Sequence, residues 1–129
     1  MAMNNISATA RSAMCDALVD LLDGGTTDAS GDIQIYTAGF ASLLAELTFS
    51  ATAFGSASSG VATAAAITDD SAANNTGTAA VCRFRNRDNT VIWEGTVSTS
   101  GADINLNTVS ITVNDVVSIT SMTVTMPAS

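Results

Sequence analysis

Two periods of apolar residues divide the chain. Over residues 7–23 Ala10, Met14, Ala17, Leu18 and Leu21 recur at steps of three and four, which sets them on one face of a helix. Asn5 or Ser7 supplies the N-terminal cap, and Gly24-Gly25 offers a residue able to take the positive φ that closes a helix. After Asp32 the period drops to two. In "IQIYT" Ile33 and Ile35 alternate with Gln34 and Tyr36, and in "LAELTF" Ala45, Leu47 and Phe49 alternate with Leu44, Glu46 and Thr48. "GVATAAAI" reads as a third strand with Val61, Thr63, Ala65 and Ile67 on one side and alanines on the other. Phe54 is the one bulky anchor in the connection before it. "TDDSAANNTG" has no apolar period and is expected to be an exposed loop.

Residues 78–87 alternate again, with Ala80, Cys82 and Phe84 against Val81, Arg83, Arg85 and Arg87. "RDNT" turns the chain, and "VIWEGTV" returns as the second arm of a hairpin. Three further strands are expected over 104–106, 109–113 and 116–126, with "ND" as a turn between the last two. The final run exceeds the usual strand length, so a bulge or bend is expected near Ser121. The fold class that follows is mainly β: an antiparallel β-sandwich or jelly roll of about eight strands led by one N-terminal α-helix. A chain of 129 residues suits one domain, with an arm and helix over 1–25 and the β-sandwich over 32–127.

Composition narrows the function. Ala, Ser and Thr supply 55 of the 129 residues, and only 12% are charged. A free monomer usually carries about 25% charged residues, so part of this surface is expected to be covered in a homo-oligomer or larger assembly. A net charge of −8 argues against neutralising a phosphate backbone over the whole surface, so no nucleic-acid partner is expected. No leader of signal-peptide type opens the sequence, and no apolar run is long enough for a membrane span; a soluble protein made in a cytosol, with no membrane partner, is expected. Cys15 and Cys82 are too few for a zinc pattern; buried thiols are the plain reading and a helix-to-sheet bridge the sharper one.

With no histidine and no lysine, the Ser-His-Asp, Cys-His, Schiff-base and P-loop plans are closed. Asp88 with Glu94 and Asp69 with Asp70 are nominal carboxylate pairs for glycoside hydrolysis, but neither is given a cleft by the sequence. Asp16, Asp20 and Asp23 read as a solvated helix flank, and Asp28 and Asp32 as a plain loop lacking the glycine and glutamate of a calcium site. No enzyme, cofactor or metal is expected. The candidate interface residues are Arg83, Arg85, Arg87 and Trp93. The arginines read in three ways: solvated side chains pairing with Glu94 across the hairpin, bidentate contacts to carboxylates on a partner or symmetry mate, or weak contacts to nucleic acid. Trp93 packs in the core or, if exposed, stacks on a sugar or partner.

The segments "ALVDLLDGG", "IQIYTAGF", "LLAELTFSATAFG", "SGVATAAAI" and "GTVSTSGADINLNTVSIT", taken in order, resemble a family of small structural proteins of tailed bacteriophages and prophages, encoded near the major capsid protein. The resemblance rests on strand and turn patterns. It implies a capsid cement or decoration protein on the virion exterior, assembled in the host cytoplasm. Such a protein sits as a dimer or trimer over capsomer junctions, with the major capsid protein as its partner. A carbohydrate-binding adhesive module of a tail, fibre or surface is the alternative, with Tyr36 and Trp93 as a sparse aromatic platform.

Overall fold

A computed structural model describes residues 3–128. The chain is mainly β with one N-terminal helix, α1 (Ala8–Asp20), continued by a 3-10 turn over Leu21–Asp23. Ser7 is the cap; its side-chain oxygen accepts from the amide of Ala10 at 3.1 Å. The helix is where the period placed it, but it is turned by about one residue. Its buried positions are Cys15, Val19 and Leu22, whereas Leu21 is 53% exposed. Apolar residues fall all round this helix, so spacing alone could not choose the face. The choice is made by the flank that bonds to the connection over residues 51–60: Ser12 Oγ accepts from Gly60 N at 3.0 Å, Asp16 Oδ1 from Ala57 N at 2.7 Å and Asp23 Oδ1 from Ala53 N at 2.9 Å. The supposed solvated flank is therefore the seam that docks the helix, and only Asp20 of the three stays exposed.

Nine short strands follow among the described residues: β1 (Asp32–Tyr36), β2 (Leu43–Thr48), β3 (Val61–Thr63), β4 (Gly77–Thr78), β5 (Val81–Arg85), β6 (Val91–Ser98), β7 (Ile104–Asn105), β8 (Ser110–Ile111) and β9 (Thr123–Thr125). A curled, mixed five-stranded sheet runs β2-β1-β5-β6-β7, and β3-β9 and β4-β8 form separate two-stranded ladders. The expected all-antiparallel order fails at one place. Residues 99–103 loop back, with Gly101 at φ 71°, and lay β7 parallel to the end of β6. The final run is broken near Ser121 as its length required: Val117 bridges Asp70, and β9 begins at Thr123. The loop over 68–77 is pinned: Asn74 N donates to Leu44 O, Asn114 N donates to Ala73 O, and Ala73 itself is buried.

Alternation in the central strands sorts side chains by face. On the inner face Ile33 lies between Leu47 and Phe84, and Ile35 between Ala45 and Cys82; all six are fully buried. With Leu22, Val19 and Phe49 they belong to one apolar cluster, whose burial is the main force holding the fold together; α1 itself lies against β3 and β9. Cys15 and Cys82 are both free and buried; Cys15 Sγ donates to Val124 O at 3.3 Å, and burial pushes the Cys82 thiol up to about 12.

Strands this short leave many loop amides without a ladder, and aspartates take them up. Besides Asp16 and Asp23, Asp70 accepts from Glu46 N and Ala72 N, Asp103 from Thr96 N and Asp115 from Thr112 N. Asp88 Oδ1 accepts from both Thr26 N and Thr27 N at 2.8 and 3.0 Å, and those two amides hold its carboxyl below the ordinary value of 3.8. A lowered folded pKa means that the contribution is complete above 3.8 and is lost as pH falls through the folded value. The amide shifts of Thr26 and Thr27 are expected to titrate with a midpoint below 3.8, and that titration should vanish in Asp88→Asn. A midpoint at or above that value would show that the carboxylate is not held by the amides.

Candidate functional site

The outward positions of β1, β2, β5 and β6 carry a connected layer of polar and aromatic side chains. Asp32 sits opposite Arg85, and Gln34 sits between Glu46 and Arg83. Arg85 grips Asp32 with two bonds of 2.7 Å, Nε to Oδ1 and Nη2 to Oδ2, and reaches Glu46 Oε2 at 3.2 Å. Gln34 Nε2 donates to the same Glu46 oxygen at 3.1 Å, and the Tyr36 hydroxyl donates to Gln34 Oε1 at 2.9 Å. Arg83 donates from Nε to Glu94 Oε2 at 2.9 Å, and its guanidinium lies 4.2 Å from the Phe40 ring centre and 5.1 Å from that of Tyr36. Phe40 reaches this position because Gly39 and Phe40 take positive φ in the 3-10 turn Ala38–Phe40.

The electrostatics of the two pairs differ. Asp32 is only 6% exposed, and burial pushes its carboxyl above the ordinary range by more than the Arg85 bonds pull it back. Arg85 is raised in turn, chiefly by its bond to Asp32. The pair is thus a locked, partly desolvated clamp rather than a large net gain. Arg83 is raised by its bond to Glu94, but both side chains are open to solvent.

The arginine stripe is consequently two residues and a brace. Arg87 lies beyond the end of β5; its Nε donates to Asp28 O at 2.7 Å and its amide donates to Gly24 O at 2.9 Å, which fastens the loop after the helix. Of the three, only Arg83 pairs with Glu94; Arg85 uses Asp32 and Glu46. Trp93 is not on this surface. It is opposite Phe84 in the register and so faces inward, half-buried, its ring stacked 4.6 Å from that of Phe84 at 24°. There it lines a cleft of about 460 Å³ together with Asp103, Asn105 and residues 121–125. Members of the nominal carboxylate pairs are engaged separately: Asp88 caps Thr26 and Thr27, Glu94 holds Arg83, and Asp70 caps Glu46. Comparison with protein-family models, with curated proteins and with solved structures finds no match.

Two features of these surfaces were missed in the sequence. The sequence puts Asp32 at a loop end and Gln34 on a polar strand face, yet both are buried polar residues at the centre of the network. The signal was present in the alternation: Asp32, Gln34, Glu46, Arg83 and Arg85 all fall on the polar phase of strands whose other phase is wholly apolar. The cleft had no such signal, because it depends on where residues 121–125 come to lie. Among the described residues no group of three or more metal-ligating side chains converges, and no helix is long and apolar enough to cross a membrane.

Proposed function

We propose that this chain is a structural contact protein and, in its most specific form, a cement or decoration protein of a tailed-phage capsid, bridging major-capsid-protein subunits as a dimer or trimer on the virion exterior. The observation that carries the reading is the pre-locked outer face. Asp32, Arg85, Glu46, Gln34 and Tyr36 are joined by hydrogen bonds, and Arg83 is held by Glu94 and two rings. A face whose long side chains are already ordered loses little conformational freedom on docking, about 0.5–1.5 kcal/mol being saved for each side chain that needs no further immobilisation. The order of strand and turn segments that resembles phage structural proteins, and the 12% of charged residues, support the same reading. In it, the curled sheet and the two short ladders serve as the two layers of a sandwich, whose exteriors are the contact surfaces.

The mechanism is adhesive. A contact of about 800 Å² per partner is specific and stable, and many identical contacts on one shell add up against outward pressure. Binding of the purified protein to expanded capsids that lack it, followed by occupancy against salt, tests the reading. The double variant Arg83→Gln with Glu94→Gln leaves the buried clamp intact and is expected to lower occupancy several-fold. Occupancy and salt resistance equal to the parent's would leave Arg83 and Glu94 as ordinary surface residues, and failure of the parent to bind any capsid would remove the virion role.

A further inference from the structure

The cleft beside Trp93 lies between two strand edges that lack partners among the described residues. β6 meets β7 only at Val97 and Ser98. Val97 N donates to Ala80 O at 2.9 Å, so the odd positions of β6 bond towards β5, and Glu94 and Thr96 direct their main-chain groups to the other edge. The amide of Thr96 is taken by Asp103 Oδ2; Glu94 has no strand beside it there. On the far side, Ala64 N donates to Met122 O and Met126 N to Gly60 O. The even positions of β9 therefore bond β3, and Thr123 and Thr125 point their amides and carbonyls away from it, where no strand of the described residues lies. Glu94, Thr123 and Thr125 all line the same cleft.

We propose that this cleft is a strand-accepting site, in which an extended segment of a different protein, carrying a basic residue, lies between β6 and β9 and hydrogen-bonds Glu94 on one side and Thr123 and Thr125 on the other. The inserted strand would join the five-stranded sheet to the β3-β9 ladder, with main-chain bonds giving affinity and alternate side chains meeting Trp93 and Met122. Residues 121–125 span about 13 Å at the strand rise, enough for a segment of four or five residues. A volume of about 460 Å³ is within the usual range of ligand clefts. Charge selects the occupant. Of the two charged residues lining the cleft, Glu94 turns its carboxylate to Arg83 on the other face, so Asp103 is the charged group that faces an occupant, and no cation lines the cleft. A second copy of this chain, with a net charge of −8, no lysine, Arg83, Arg85 and Arg87 already engaged and Arg11 half-buried on α1, has little positive charge to offer.

The test titrates the 15N-labelled full chain with the blocked hexapeptide Lys-Thr-Val-Thr-Val-Lys. Amide shifts are expected at Glu94, Thr123 and Thr125, with intermolecular cross-peaks to the peptide. Thr123→Pro removes a donor that points away from β3, so the β3-β9 ladder and the unfolding midpoint should persist while peptide affinity falls about tenfold or more. Four results would overturn the proposal. The first is unmoved amides at millimolar peptide. The second is equal binding of a peptide with glutamate in place of lysine, or of one N-methylated at alternate positions. The third is concentration-dependent self-association through the same amides, which would make the occupant a second copy. The fourth is a response of the Trp93 indole to chitotetraose or maltoheptaose with none to the peptide, which would make the cleft a sugar site. No capsid enters the experiment, so its outcome and that of the capsid-binding assay are independent.

Discussion

Replacing Arg85 by methionine is expected to destabilise the fold by about 3–5 kcal/mol, the cost of leaving a buried carboxylate without its partner. Asp32 is 6% exposed, and both of its oxygens are held by Arg85 at 2.7 Å. Without the guanidinium, Asp32 must either stay charged in a site that disfavours the charge or take up a proton. Burial has already moved its carboxyl upwards, so the variant should recover stability as pH falls, opposite to the behaviour expected of Asp88. The double variant Asp32→Leu with Arg85→Met removes both charges and is expected to regain most of the loss, because desolvation of the pair consumes much of what its attraction returns. Urea denaturation of the parent, Arg85→Met, Asp32→Leu and the double variant closes the cycle. If Arg85→Met shifts the midpoint no further than Arg83→Met at the exposed pair, the clamp is not what secures β1 to β5.

Gly31→Ala is expected to cost about 3 kcal/mol or more, at or beyond the upper end of ordinary overpacking. A Cβ there would lie 2.5 Å from Arg85 O and 2.8 Å from Leu22 O, and both are main-chain atoms that cannot swing aside. The reason for the close approach is architectural. Leu22 lies in the 3-10 turn that closes the helical segment, Gly31 precedes β1 and Arg85 ends β5, so the bare α-carbon is where the helix end and two central strands are brought together. Gly55→Ala is the control: its nearest neighbour would be Thr63 O at 3.8 Å, and its stability should be close to that of the parent. Equal urea midpoints for the two variants would mean that the junction relaxes and that the glycine is not required.

Local chemistry was legible wherever one element's own residues decided the outcome. Ser7 caps α1 and Gly25 takes φ 107° after it, because capping and positive φ are properties of single residues. β1, β2, β5 and β6 were legible because each has one apolar phase, and a slip of one residue would expose Ile33, Leu47 or Phe84. Even the break near Ser121 followed from length alone. The residues "GVATAAAI" were less legible: only Val61–Thr63 is strand, since alanines fit a ladder or an irregular path almost equally well.

What the sequence by itself determined, then, is a mainly β chain with a capped leading helix, an inner face of Ile33, Ile35, Cys82 and Phe84, and a polar phase containing Arg83 and Arg85. Only the tertiary structure decided that α1 buries Cys15 rather than Met14, that Arg85 clamps Asp32 while Arg87 braces the loop at Asp28, and that Trp93 faces the opposite side of the sheet from the arginines. It also decided that Glu94 and Thr123 come to line one cleft. The physical reason is the range of the forces involved. Periodicity and capping act between neighbours in sequence, whereas a bidentate ion pair, a helix face or an open strand edge depends on which distant segment arrives beside it.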